Sequence, residues 1–383
     1  GTLHITYWSG FFATNPNSPS AVFYQSWNEE DGWSEQVIVD DSYIDDSDPD
    51  YAGQRMGGRH PSLIVDANDT VHIVWHDHRD CGVPPPYNGI NNIEIYCDSK
   101  SGTGMFSNTD VRLTNTSATH MGDNAYCPRI GAAPDGRLTV LWYDFHADGW
   151  ISDIYMMISD ETGVFDTSTL ILTRRITIAD EREPVPPQTL TPAFNMPSLV
   201  ITPEGNRYAI WSQDFGGSIG NDGAAPIYFA ELPEQPEQVQ YKAVVSNNDG
   251  YWFPPKLKQA PNGDLWIIYT ATDGTNRQVE MVRRRAGQSE FDIPIQVTDM
   301  GRNQNADLAI DSEGRLHLVW EQYGGYQSSS IQYVLLTSDG QTRLREEQLT
   351  NESGAFAGPC IELDKDDRPH VICCEGNTDN FGD

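Results

Sequence analysis

Residues 61 to 75 read PSLIVDANDTVHIVW. Two short apolar runs, SLIV and VHIVW, flank a polar turn built from Asp66, Asn68 and Asp69. Short apolar runs bounded by turn residues read as β-strands, and two of them around a tight polar turn read as a hairpin. The next five residues change character at once: His76, Asp77, His78, Arg79 and Asp80 are all polar. Core strand and candidate chemistry therefore sit end to end.

The hairpin recurs. PRIGAAPDGRLTVLW, PSLVITPEGNRYAIW, PKLKQAPNGDLWIIY, ADLAIDSEGRLHLVW and PCIELDKDDRPHVIC repeat its two strands, and GTLHITY at the N-terminus matches its second half alone. Tyr7, Trp75, Trp142, Trp211, Tyr269, Trp320 and Cys373 close the second strand of each unit. Further strand-like runs follow, such as IEIYCDS and DVRLT, or DIYMMIS and LILT. Four short strands repeating every ~50–70 residues are the pattern of a β-propeller. The expectation is an all-β chain of seven blades with four antiparallel strands each, six or eight being the alternatives, and with incomplete terminal blades. Approximate blades are 1–50, 51–118, 119–180, 181–247, 248–300, 301–352 and 353–383 of a single domain spanning 1–383. Gly1 aligns with the turn glycines Gly136, Gly205, Gly263 and Gly314, so the sequence is expected to be a fragment or to lack its terminal segments.

Lys plus Arg number 24 and Asp plus Glu 56, a formal charge of −32. Such a surface repels phosphate backbones and anionic membranes, which argues against nucleic acid and lipid as partners. No apolar run reaches the ~18 residues of a membrane helix, so membrane insertion is not expected. Six cysteines without metal spacing suit an oxidising compartment. A Cys81–Cys127 disulfide is expected, because both residues fall at the strand-A-start and strand-B-end face, called the top.

The segments VHIVWHDHRD with IEIYCDSKSGTGMF, and TVLWYDFHADG with DIYMMISDETGVF, resemble the sialidase-like propeller superfamily, whose members carry BNR or Asp-box repeats. SDETGVF (Ser159 to Phe165) and SKSGTGMF (Ser99 to Phe106) look like degraded Asp boxes. The resemblance implies the fold. It transfers no catalytic residue, because the family's arginine triad, Tyr–Glu pair and Asp acid match nothing here by motif.

Residues that depart from the repeat on the top face are the candidates for chemistry. His4, His72, His317 and His370 occupy one repeated position and read as core histidines. In contrast, His60, His76, Asp77 and His78 are expected to converge at the mouth of the second blade, joined by Asp144 of the third, as proton-transfer groups. Arg55, Arg59, Arg79 and Arg129 are the candidates for gripping a carboxylate or sulfate, and Tyr143 and Trp150 for stacking on sugar rings. Tyr126, Asp123, His146, Gln213, Asp214, Arg302, Glu321 and Tyr323 lie further round the same face. No metal and no cofactor is expected.

These observations lead to a secreted, cell-surface or periplasmic propeller that binds carbohydrate, an acidic glycan, and acts on it as hydrolase or lyase if it is an enzyme. The alternative is a non-catalytic scaffold with protein partners in an extracellular assembly. A propeller hosts either, so the site must decide.

Overall fold

The computed structural model describes residues 1–9, 21–40, 57–79, 93–102, 104–107, 109–115, 124–146, 151–165, 175–176, 197–212, 225–233, 239, 241–248, 253–273, 275–324, 328–351 and 355–376. All regular elements among them are strands. The first blade comprises β1 (Leu3–Ser9), β2 (Ala21–Asn28), β3 (Gly32–Trp33) and β4 (Val37–Ile38). The second comprises β5 (Gly58–Val65), β6 (Thr70–Asp77), β7 (Glu94–Ser101) and β8 (Val111–Arg112). The third has β9 (Asn124–Ala132), β10 (Leu138–His146), β11 (Ile151–Ile158) and β12 (Arg175–Ile176). The fourth is β13 (Ser198–Ile201), β14 (Arg207–Ser212), β15 (Ala225–Leu232) and β16 (Tyr241–Asn248). The fifth is β17 (Lys256–Gln259), β18 (Leu265–Thr272), β19 (Arg277–Arg284) and β20 (Ile295–Gln296), and the sixth is β21 (Arg302–Ile310), β22 (Leu316–Tyr323), β23 (Ser329–Leu336) and β24 (Arg343–Gln348). A hairpin of β25 (Ala355–Leu363) and β26 (Pro369–Gly376) follows.

Among the described residues the blade count is thus six, the lower alternative to the expected seven. The seventh repeat is a two-strand hairpin whose outer strands do not appear among the described residues. It packs against the first blade at the point where the ring closes. Arg368 pairs with Glu29, and the rings of Trp27 and His370 lie 5.8 Å apart.

Each blade is too thin to bury its own faces, so the core consists of the layers between blades. Val74, Ile95 and Leu113 of the second blade pack with Ile130, Val140 and Trp142 of the third. Leu141, Tyr143 and Met156 pack with Trp211 and Ala230 of the fourth, and Trp266, Ile268 and Met281 of the fifth with Leu308, Leu318 and Trp320 of the sixth. This two-sided burial explains why the second strands read as unbroken apolar runs. The closing residues share one register: Trp75 faces Tyr96, Trp142 faces Tyr155 and Trp211 faces Tyr228 across the ladder. Gly58 has no room for a side chain, because a Cβ there would overlap the Trp75 ring and Val22.

Inner strands carry a repeated irregularity. The register slips between Arg59 and Ser62, between Gln304 and Asp307, and between Ala357 and Cys360, and opposite Tyr126 and Arg129 it slips between Leu141 and Tyr143. His60, Cys127, Asn305 and Gly358 sit in these bulges with φ of 50°, 47°, 52° and 62°. Left-handed backbone is uncommon for residues other than glycine, and three of the four are not glycine. A bulge re-aims the strand, here at the mouth of the central channel.

The repeated strand-B histidines are satisfied at the bottom of the ring. His72, His317 and His370 bond the turn carboxylates Asp66, Asp311 and Asp364 at 3.3, 3.3 and 3.2 Å. Each pair spans the same six residues, so the repeat encodes a turn clamp.

Trp75 is fully buried between the first two blades. Its replacement by alanine is expected to cost about 3–5 kcal/mol, as for other buried large aromatics. Chemical denaturation read by tryptophan-independent circular dichroism measures this directly.

Candidate functional site

Strand β6 distributes its polar end by simple alternation. Trp75, Asp77 and Arg79 point to one face, His76 and His78 to the other. On the first face Asp77 accepts from Trp75 Nε1 at 3.0 Å and from Arg79 Nη2 at 2.7 Å. The same guanidinium reaches Asp40 at 3.0 Å and Asp110 at 2.6 Å, and its carbon lies 4.0 Å above the Tyr96 ring. All three carboxylate side chains are fully buried. Burial opposes the guanidinium's charge, but Asp77 and Asp110 outweigh it and hold its pKa above the ordinary value.

This knot corrects two expectations. Arg79 is not an exposed gripping group and Asp77 is not a proton-transfer group at the mouth; both are committed to one another inside the blade. The reason is strand parity, which sends odd and even residues of β6 to opposite faces. Asp144 repeats the position of Asp77 one blade on and is equally buried, whereas Tyr143 shares the His76 face but lies buried beneath Tyr126. Arg55 and Trp150 lie outside the described residues, as do Asp123, Gln213 and Asp214.

The other face of β6 carries a row of rings across three blades. Trp8 meets His60 at 5.5 Å, and His60 stacks on His76 at 5.1 Å and 27°. His76 then meets His78 at 5.5 Å and Tyr126 edge-on at 5.3 Å, and Tyr126 stacks on Tyr143 at 5.5 Å. The residue after each closing aromatic builds much of this wall: Trp8, His76 and Tyr143. Trp8 was not among the expected site residues, although its place after Tyr7 signals it.

The tautomer of His76 follows from geometry. The backbone N–H of Cys127 donates to its Nδ1 at 3.2 Å, so the proton of the neutral ring sits on Nε2. His78 Nε2 is buried and has no hydrogen-bond partner among the described residues. His60 is the exposed member of the row.

Crowding keeps all three rings neutral. Burial, with His60, His78 and Arg59 nearby, holds His76 well below its usual 6.5. Although His60 keeps an edge in solvent, desolvation of its ring by its packed neighbours and then Arg129 and Arg59 bring it to about 4, and burial and Arg59 bring His78 to about 4. Arg59 lies 5.7 Å from the Trp8 ring centre, and Arg129 bonds the carbonyl of Pro128 at 2.9 Å. The two arginines and three uncharged imidazoles make a mouth that is basic in charge yet holds proton acceptors. On the facing blade, burial pushes the Glu321 carboxyl up to about 7, and Gln304 donates to it at 3.1 Å.

The expected Cys81–Cys127 bond is not made. Cys127 is a buried free thiol that donates to Tyr143 Oη at 3.9 Å, and Cys81 lies outside the described residues. Among the described residues no group of three His, Cys, Asp or Glu is arranged to hold a metal ion.

No protein-family model matches the chain, and no curated protein matches it in sequence. Solved structures do. An ulvan lyase of the polysaccharide lyase family PL25, bound to -[GlcA(1-4)Rha3S]-, is 12% identical with a TM-score of 0.61, covering 98% of this chain and 87% of its own. An α-L-arabinanase of Penicillium chrysogenum complexed with arabinobiose is 12% identical with a TM-score of 0.50, covering 83% and 93%. The intramolecular trans-sialidase of Ruminococcus gnavus is 12% identical over 98% of this chain and 88% of its own, with a TM-score of 0.48. The fold is the β-propeller that these structures share. At these identities the likeness is one of architecture, and the chemistry rests on the mouth itself.

The imidazoles predict a pH signature. His60 and His78 bind protons less readily folded than unfolded, so their contribution to stability is complete above pH 6.5 and is lost as pH falls toward 4. Melting temperature is expected to decline through that window, and less steeply in a His78→Gln variant than in the wild type.

Proposed function

We propose that the chain binds an acidic glycan across the channel mouth and cleaves it by β-elimination next to a uronic acid. The observation that carries this reading is the row of neutral imidazoles set between Arg59 and Arg129 with Tyr126 alongside. The architecture shared with a glucuronate-bound lyase supports it. Hydrolysis commonly needs two carboxylates about 5–9.5 Å apart across the scissile bond. The two aspartates expected as proton-transfer groups, Asp77 and Asp144, are buried in the blades instead.

Elimination needs a neutralised substrate carboxylate, a base for the C5 proton and an acid for the leaving oxygen. Arg59 and Arg129 pair with the carboxylate, which makes the C5 hydrogen acidic. His60, the exposed imidazole, takes that proton. The freed electron pair forms the C4=C5 bond, the C4–O4 bond breaks, and Tyr126 returns a proton to O4. His76, its tautomer set by Cys127, holds His60 by stacking. Secretion or surface display of the protein follows from this reading, because acidic glycans of this kind are extracellular polymers.

Incubation with uronate polysaccharides, followed by the ultraviolet absorbance of the conjugated C4=C5 product, tests the proposal. His60→Ala is expected to lower kcat about 10²–10⁴-fold, the usual range for a removed acid–base group. The acid limb of the kcat/KM profile is expected near pH 4 rather than 6.5, since the base is already neutral above that. Glycan binding without any unsaturated product would leave a lectin and sink the lyase reading.

A net charge of −32 repels a polyanionic substrate at long range. Added salt screens that repulsion, with a Debye length of about 10 Å at 0.1 M. A kcat/KM that rises between low and moderate salt is therefore expected, opposite in sign to an enzyme that steers its substrate by bulk charge.

A further inference from the structure

A cavity opens at the bottom of the ring, the end away from His60. It lies between the turns of the fourth and fifth blades, has a volume of about 1050 Å³, and is walled by Tyr208, Phe229, Tyr241, Lys242, Glu231 and Arg284. Its size is at the upper end of the ~300–1,000 Å³ typical of small-molecule sites. It shares no residue with the mouth.

The floor is an aromatic row. Tyr208 stacks on Phe229 at 5.7 Å, and Phe291 meets Phe229 edge-on at 5.2 Å. Cations lie over it. The Arg284 guanidinium is 4.8 Å from the Tyr208 centre and 4.7 Å from that of Phe229, and Lys242 Nζ is 5.7 Å from Phe291. Stacking fixes the plane of Arg284 and leaves its edge to pair with a planar anion. The present partners of these cations are weakly held. Arg284 Nη1 bonds Glu231 at 2.6 Å and Lys242 bonds Glu290 at 3.1 Å, yet the two carboxylate side chains are 65% and 82% exposed. Each carboxylate stands largely in solvent while its cation is held against the cleft, so an incoming carboxylate or sulfate can replace it. Asn206, Gln288 and Ser289 add polar groups suited to hydroxyls.

We propose that this cavity is a non-catalytic binding site for an anionic oligosaccharide, in which the sugar anion displaces Glu231 from Arg284 and a sugar face lies along the tyrosine side of the cleft. Glu231 and Glu290 then act as built-in competitors that keep the cations paired when the cleft is empty. The proposal stands apart from the reaction at the mouth, and either can hold without the other.

Hydrogen-exchange protection by tetragalacturonate, with calorimetric titration, tests it on the full chain. Protection is expected at residues 204–208, 229–233 and 284–290, separately from any at the mouth. Arg284→Gln is expected to weaken this binding about tenfold through loss of a charge-assisted pair, and Lys242→Gln serves as a second variant should Arg284→Gln unfold. Glu231→Gln is expected to tighten it about threefold, since a competitor on the scale of an exposed ion pair is removed. Protection confined to the mouth would overturn the bottom site and leave the proposed reaction standing. Protection at the bottom alone would do the reverse, and protection at neither would overturn both. Equal binding of polyglutamate would show a plain anion site and defeat the assignment to sugars, as would a Glu231→Gln variant that binds no better than the wild type.

Discussion

A backbone N–H of one inner strand bonding to a side chain of the blade before it is the contact on which ring and mouth both depend. Ile130 donates to Ser62 at 3.3 Å, Leu257 to Ser198 at 3.3 Å and Ile361 to Asp307 at 3.1 Å. Inner strands face the channel and have no further strand to pair with, so their free donors must be met by the neighbouring blade. Two more such bonds come from the bulges: Cys127 donates to His76, and Asn305 to Thr270 at 3.1 Å. One of the bonds that join the second and third blades is thus also the bond that selects the His76 tautomer. Architecture and proton chemistry share one atom pair.

The outer strands solve the complementary problem with a threonine. Thr114, Thr298 and Thr350 each accept from a third-strand N–H, of Ile95, Val279 and Ile331, at 2.8 to 2.9 Å. They belong to the triplets LTN, VTD and LTN, a repeat visible in the sequence. In the first blade Asp40 holds the corresponding place after Val39. That exchange brings a buried charge to the second blade and with it the need for Arg79. Removing one partner from a buried ion cluster strands the remaining charges, which is why such clusters are costly to break even when they add little net stability. The knot therefore anchors β6 immediately beside His78, and the mouth inherits its rigidity.

The channel mouth has two unlike walls. Imidazoles and a phenol line it on the first three blades, and Glu321, Gln304 and Arg277 on the sixth and fifth. The residue after the closing aromatic is one such repeated position, a single structural slot filled by Trp8, His76, Tyr143, Ser212, Thr270 and Glu321 around the ring. This is how a repeat fold acquires a specific site. The backbone scaffold stays constant, and chemistry is written into a few side-chain positions per blade, on the inner strand and just after the closing aromatic.

Strand periodicity, the turn residues and the closing aromatics were enough to determine the propeller, because these signals are local and recur. The same repetition exposed His72, His317 and His370 as structural, since each has its aspartate six residues upstream. His60, His76 and His78 were also legible as departures from the repeat. What only the tertiary structure decided was which face each polar residue takes and whom it meets. Asp77 and His76 are adjacent in sequence yet one enters the ion knot and the other the row of packed rings. Arg79 needs Asp40 and Asp110, which lie 39 and 31 residues away. Cys127 aligned with His60 and was expected to seek another cysteine, whereas the bulge turns its backbone N–H to His76 and its thiol to Tyr143. Among the described residues six full blades form, because a hairpin signal shows that two strands exist but not that two more accompany them. Partners distant in sequence, and burial created by neighbouring blades, leave no trace in local pattern; they come into being only when the ring closes.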